Sequence, residues 1–183
     1  MSIAQAARKI GKTDLYRTPE KAIIPLYMIL KNERGKNILD PCEGDGRIRR
    51  KLESIDPSNQ VIGFDLFPDF GKPVDFLEHS ERYDYIVGNP PFSVKNEFIN
   101  HALEISRFVI FLLPMSVVSY NIFHREFLDR PEYVGRLLMT PKMFLNSEGT
   151  FKPGGTDSYA WFVWDNEHKS RGSVEHYFDL RKL

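Results

Sequence analysis

Apolar positions along the chain follow two periods. Ile23, Leu26, Tyr27 and Leu30 recur at i, i+3, i+4 and i+7, which is one face of a helix. Thr18 and Pro19 can open it, with Thr as cap and Pro at the first helical position. Pro25 lies inside the pattern and predicts a kink or a later start. Further helices are expected after Gly46, with Ile48, Leu52 and Ile55 on one side, and through Phe98, Ile99, Ala102 and Leu103. Short runs at 37–39, 61–64, 83–87 and 108–113 read as strands, several of them apolar throughout. Each stops at breakers or charges: Asp40-Pro41, Asp65, Gly88-Asn89-Pro90-Pro91 and Pro114. Strands alternating with helices predict an α/β fold, a mostly parallel sheet covered on both faces. The last third departs from that alternation. Residues 134–139 and 159–164 read as strands with only a Gly- and Pro-rich loop between them, an expected antiparallel pair at one edge.

Composition narrows the class. The 183 residues are 42% hydrophobic and 27% charged, which suits one folded domain over the whole chain, 1–183. Twenty-five Lys and Arg balance 25 Asp and Glu, so an overall basic surface for packing nucleic acid is not expected, although a local patch is compatible. The lone Cys42 excludes an intrachain disulfide framework and any multi-cysteine zinc site. The five histidines show no metal-ligand spacing, so no metal is expected. The greasiest stretch, 108–118, is interrupted by Pro114 and Ser116 and falls short of the ~20 residues a spanning helix needs. The N-terminus lacks the apolar core of a secretory signal. A cytoplasmic protein without membrane contact is the expectation, in host cytoplasm if the chain is phage-encoded.

Ligands of open α/β sheets bind at the carboxyl ends of strands, and three such ends carry unusual residues. In the first, Gly44 and Gly46 allow a tight turn and close approach of backbone to a ligand. Asp65 ends the next strand, where a carboxylate can accept from two ribose hydroxyls. Arg49 stands where a dinucleotide fingerprint would have its third glycine, and Asp40 and Glu43 place carboxylates where a pyrophosphate needs none. The loop therefore suits adenosine with a cationic end, the chemistry of S-adenosylmethionine. The third end is Asn89-Pro90-Pro91-Phe92. Two prolines remove two backbone donors. They leave the Asn89 side-chain oxygen and the Pro90 carbonyl as a stiff acceptor pair for one planar amino group. Phe92 adds a flat face for stacking.

Together these motifs resemble the amino-methyltransferases that use S-adenosylmethionine, above all the DNA N6-adenine and N4-cytosine enzymes in their gamma-type order. Asp14-Leu15-Tyr16-Arg17-Thr18-Pro19 resembles their N-terminal cofactor motif, and residues 38–46 resemble their glycine loop. Gly63-Phe64-Asp65 resembles the ribose-binding acid, Asp75-Phe76 the pair at the cofactor adenine, and Asn89 to Phe92 the catalytic motif. Residues 156–164 further resemble small phage-encoded members. The resemblance implies a three-layer, Rossmann-like sheet of seven strands, mostly parallel with an antiparallel C-terminal pair. It places Tyr16, Thr18, Pro19, Asp40, Pro41, Gly44, Gly46, Asp65, Leu66, Asp75, Phe76 and Asn89 on the cofactor. It places Asn89, Pro90, Pro91 and Phe92 on the chemistry. The implied reaction is direct in-line methyl transfer to an exocyclic amine, adenine N6 of a flipped-out DNA base. RNA adenine and protein glutamine remain alternative acceptors, and a cofactor-binding subunit that needs a partner is the alternative of another class.

Gamma-type DNA enzymes usually add a target-recognition domain, and no such domain is expected here. Loops at 117–130 and 143–157, a homodimer or a partner would then supply specificity, or sequence specificity is weak. Pro41-Cys42 imitates the nucleophile of cytosine-C5 enzymes but follows the wrong strand, so Cys42 reads as a small filler. Arg47, Arg49, Arg50 and Lys51 read as a solvated helix face. Arg125, Lys142 and Lys152 are candidate phosphate contacts. Tyr120 and Phe123 read equally as a second wall for a base or as core.

Overall fold

A computed structural model describes residues 17–70, 73–140, 158–168 and 173–179. Tyr16, Lys142, Lys152 and the loop at 143–157 lie outside the described residues. Two short helices, α1 (Glu20–Ile23) and α2 (Leu26–Leu30), lead into β1 (Asn37–Asp40), α3 (Arg47–Ile55) and β2 (Gln60–Gly63). Then come β3 (Tyr83–Gly88), α4 (Lys95–Ile105), β4 (Ser106–Pro114), β5 (Tyr133–Thr140), β6 (Tyr159–Asp165) and β7 (Val174–Asp179). The seven strands form one sheet in the order β2-β1-β3-β4-β6-β5-β7. Five neighbouring strands from β2 to β6 include three parallel pairings, and β6 alone runs against the rest, antiparallel to both β4 and β5.

The expected antiparallel pair is present, but it is not the edge. β7 lies outside β5 and pairs with it in parallel. Gly135 makes that approach possible: a Cβ there would meet the Val174 carbonyl oxygen at 1.9 Å, and its φ of 148° suits no other residue well. Proline also sets the N-terminal helices. Pro25 separates α1 from α2 and turns the second away from a continuous register, so Ile23, Leu26 and Leu30 are buried while Tyr27 faces solvent.

Alternation within β4 explains its unbroken apolar run. Val109, Phe111 and Leu113 join one core with Phe98, Ile99 and Ala102 of α4. Ile110 and Leu112 join the opposite core with Ile23, Leu26, Ile48 and Leu52. Both faces of the strand are dry, as a central strand between helical layers requires. Trp161 and Trp164 fall on opposite faces of β6 and are fully buried. Each indole N–H donates to a backbone carbonyl, Trp161 to Ala22 at 2.6 Å and Trp164 to Phe127 at 2.8 Å. At ~25 cal/mol per Å² and ~150–250 Å² per aromatic ring, each stabilises the fold by about 4–6 kcal/mol as an upper bound.

Candidate active site

The carboxyl ends of β2, β1 and β3 are neighbours, and chain order reverses direction about β1, a topological switch point where α/β sheets bind ligands. A cleft of about 140 Å³ opens there. It is built from the three strand ends that the sequence singles out, together with Arg17 and Thr18 from the chain ahead of α1.

The loop after β1 turns on two glycines in left-handed conformation, Gly44 at φ 53° and Gly46 at φ 75°. Its shape is held by Asp65. One carboxylate oxygen accepts from the Gly44 N–H at 3.0 Å, the other from the Phe67 N–H at 2.9 Å. The Leu66 N–H bonds the carboxylate as well, and its remaining acceptor capacity is open to a ligand. Asp65 is 6% exposed, and burial pushes its carboxyl above the usual range. Behind the lining residues Pro41 and Cys42 sits Asp40, fully buried. Its Oδ1 accepts weakly from the Cys42 N–H at 3.4 Å, while Oδ2 has no hydrogen-bond partner among the described residues. Burial, with Glu43 and Asp65 adding negative charge nearby, raises the Asp40 carboxyl well above its ordinary range. Cys42 is a lining thiol whose ionisation is opposed by burial and by the charge of Asp40.

Asp75 follows from the same loop. Val74 N–H donates to the Asp65 carbonyl at 2.8 Å, which brings Asp75 beside Asp65. Its Oδ1 accepts from the Leu77 N–H at 3.0 Å, and its buried Oδ2 has no partner among the described residues. A buried acceptor left without a donor is costly in a finished fold. In a cleft lining it leaves an acceptor open to a ligand donor. Beside it, Leu66, Phe76, Leu77, Val94 and Phe98 make an apolar slot, with the Phe76 and Phe98 rings 4.9 Å apart. At the end of β3, Asn89 enters the cleft and its Nδ2 donates to Thr18 Oγ1 at 3.2 Å.

Of the residues expected at the cofactor, Thr18, Pro41, Gly44, Asp65, Leu66, Asp75, Phe76 and Asn89 line the cleft. Pro19, Asp40 and Gly46 are buried outside the lining. Pro91 lines it, while Pro90 is buried and Phe92 lies beyond it, half-buried, its ring 5.8 Å from that of Tyr159. The structure adds Arg17, Asp45, Arg47 and Glu97 to the lining, with Phe67 and Phe70. Arg47 corrects the reading of the basic run as a solvated face. Its Nε sits 2.9 Å from Asp45 Oδ2, and Arg17 reaches the same carboxylate at 3.8 Å. The run is spread around the helix, so the residue following Gly46 faces the cleft while Arg49 turns to Glu43 and Glu53. The strand-to-helix turn at Gly46 was the available signal.

No protein-family model matches the chain. No curated protein matches it either. Solved structures do. A candidate RNA methyltransferase from Pyrococcus horikoshii is 18% identical at a TM-score of 0.65, covering 84% of this chain and 87% of that one. A type I restriction-modification methyltransferase subunit from Streptococcus thermophilus is 12% identical at 0.66, covering 90% of this chain. This chain spans 47% of that subunit. The 23S rRNA methyltransferase ErmE is 14% identical at 0.59, covering 87% of this chain and 73% of that one. These likenesses establish the fold: a Rossmann-like sheet shared with methyltransferases.

Among the described residues, no helix is long and apolar enough to cross a membrane.

Proposed function

We propose that the protein is an S-adenosylmethionine-dependent methyltransferase acting on an exocyclic amine, adenine N6 in DNA. The observation that carries this reading is the meeting of Asp65, Asp75 and Asn89, from three separate stretches of sequence, on one cleft at the sheet's switch point. The residues present fit that cofactor. Asp65 offers acceptors for ribose hydroxyls, and the open Oδ2 of Asp75 offers one for an adenine amino group over the Phe76 slot. Buried Asp40 favours a positive charge nearby. When bound, S-adenosylmethionine would supply a methyl group on an electrophilic sulfonium.

The chain's own residues do the rest by positioning and electrostatics. Asn89 and the Pro90 carbonyl accept from the target amine and aim its lone pair into the cleft. Thr18 restrains the Asn89 amide through its Nδ2, which fixes the amide orientation. Phe92, outside the cofactor cleft and against Tyr159, offers the ring on which an extruded base stacks. The base must leave its duplex, since a stacked base cannot present its amine in line. Similarity in fold to both an rRNA methyltransferase and a restriction-modification subunit supports a nucleic-acid substrate. DNA over RNA rests on the motif resemblance.

The test is incubation with methyl-labelled cofactor and separated DNA, RNA and protein. Label in DNA as N6-methyladenine is expected. Label confined to rRNA or to glutamine side chains would move the acceptor. Absence of label with retained cofactor binding would indicate a subunit that needs a partner.

A further inference from the structure

The segment after β4 buries some aromatics and exposes others in a pattern that packing does not explain. Phe123 and Phe127 are buried in the core, their rings 4.9 Å apart, and the Trp164 indole holds the Phe127 carbonyl. Backbone bonds from Tyr120 to Val117 and from His124 to Tyr120 fix the intervening turn. Phe123 is therefore core, and Tyr120 is not a buried wall. Tyr120 and Ile122 are 62% and 59% exposed, the two most exposed large apolar side chains among the described residues.

Topology starts their segment beside the candidate site. β4 is the neighbour of β3, and its Pro114 pairs with Tyr159, whose ring meets Phe92. Met115, the next residue, donates its N–H to the Ser158 carbonyl. The segment thus leaves the sheet beside the catalytic motif. Arg125, exposed in the same segment, has no ion pair among the described residues.

We infer that Tyr120 and Ile122 form a wedge that enters the base stack as the target nucleotide leaves it, with Arg125 on a neighbouring phosphate; this rests on the DNA reading above. Apolar side chains on a rigid support are what opens a base step, and unstacking costs a few kcal/mol per step. A second copy of the chain is a poorer occupant. Two partly exposed side chains offer on the order of 200–300 Å², well below the ~800 Å² per partner of a stable dimer.

The experiment measures labelled-methyl incorporation into unmethylated bacterial DNA, native and heat-denatured. It compares the parent with Tyr120→Ala/Ile122→Ala and with Tyr120→Phe. Thermal melts verify folding, which exposed positions should preserve. The expected result is a native-to-denatured rate ratio about ten-fold lower in the double variant, and a parental ratio in Tyr120→Phe. An unchanged ratio in the double variant would overturn the wedge while leaving the DNA reading intact. If the parent labels neither form of DNA, that reading fails and the wedge with it.

Discussion

Where β1 and β2 end, the buried groups are carboxylates; around β4 and β6, they are aromatic rings. Asp40, Asp65 and Asp75 are all at most 6% exposed, and two of them keep an oxygen without a partner among the described residues. Phe111, Phe162 and Trp164 are fully buried and need nothing further, the indole N–H being satisfied. Burial of an aromatic stabilises the free protein. Burial of a poorly paired carboxylate costs stability until something binds. The comparison separates what the fold uses to stand from what it holds ready for a ligand, and it can be broken from either side.

The largest effect belongs to the aromatic side. Trp164→Ala should lower unfolding free energy by about 3–5 kcal/mol, from the cavity and the lost hydrogen bond to Phe127. Denaturant unfolding measures this. At temperatures where the variant stays folded, calorimetry should show cofactor affinity close to the parent value. A loss of affinity per folded molecule would mean that the aromatic core shapes the cleft directly.

Next comes Asn89→Ala. Turnover should fall ~100-fold or more, as for other lost positioning groups. Cofactor affinity should fall far less than turnover, because the amide oxygen serves the acceptor amine although Asn89 also lines the cofactor cleft. Steady-state rates beside calorimetry decide it, and preserved turnover would show that the amine is held elsewhere. Asp65→Ala should do the reverse and weaken cofactor binding by about 1.5–3 kcal/mol. Part of that loss is the glycine loop itself, since Asp65 also holds the Gly44 and Phe67 N–H groups.

The same contrast explains what could be read from sequence. β1, β3, β4 and β6 announce themselves as largely apolar runs stopped by Asp, Gly or Pro, because a strand buried on both faces has few polar positions to blur it. β7, Val-Glu-His-Tyr-Phe-Asp with Val174 and Glu175 exposed, carries no such run, and its pairing depends on the missing Cβ of Gly135. Asp40, Asp65 and Asn89 could be placed at one end of the sheet because each follows or ends a strand, whereas Asp75, ahead of a short 3-10 turn, was singled out only by the motif resemblance. Arg47 was not: which residue of a basic run faces the cleft depends on the turn at Gly46. Tyr27 escaped for a similar reason, since Pro25 rotates its helix out of the register that the spacing implied.

The smallest effect sharpens the comparison most, because it should change sign between the free and the bound protein. Asp40→Asn keeps an oxygen to accept from the Cys42 N–H and replaces the ionisable oxygen with a neutral NH2 group. Burial raises the Asp40 carboxyl well above its ordinary range, so the native state holds its proton more tightly than the unfolded chain does. Between the unfolded and the native pKa, the native state binds more protons, and stability falls as pH rises through that window. Below the unfolded value both states are protonated and the penalty vanishes. The asparagine variant should therefore melt at a higher temperature than the parent at pH 7, and the two melting temperatures should converge toward pH 3. In the bound protein the order should reverse: a cationic ligand stabilises a carboxylate and does nothing for an amide, so the variant should gain less thermal stability from saturating S-adenosylmethionine. Melting curves at the two pH values, with and without that cofactor, measure all of this. If the variant melts below the parent at pH 7 without ligand, the buried Asp40 carboxylate is stabilised by groups of the fold itself and is not held ready for a ligand.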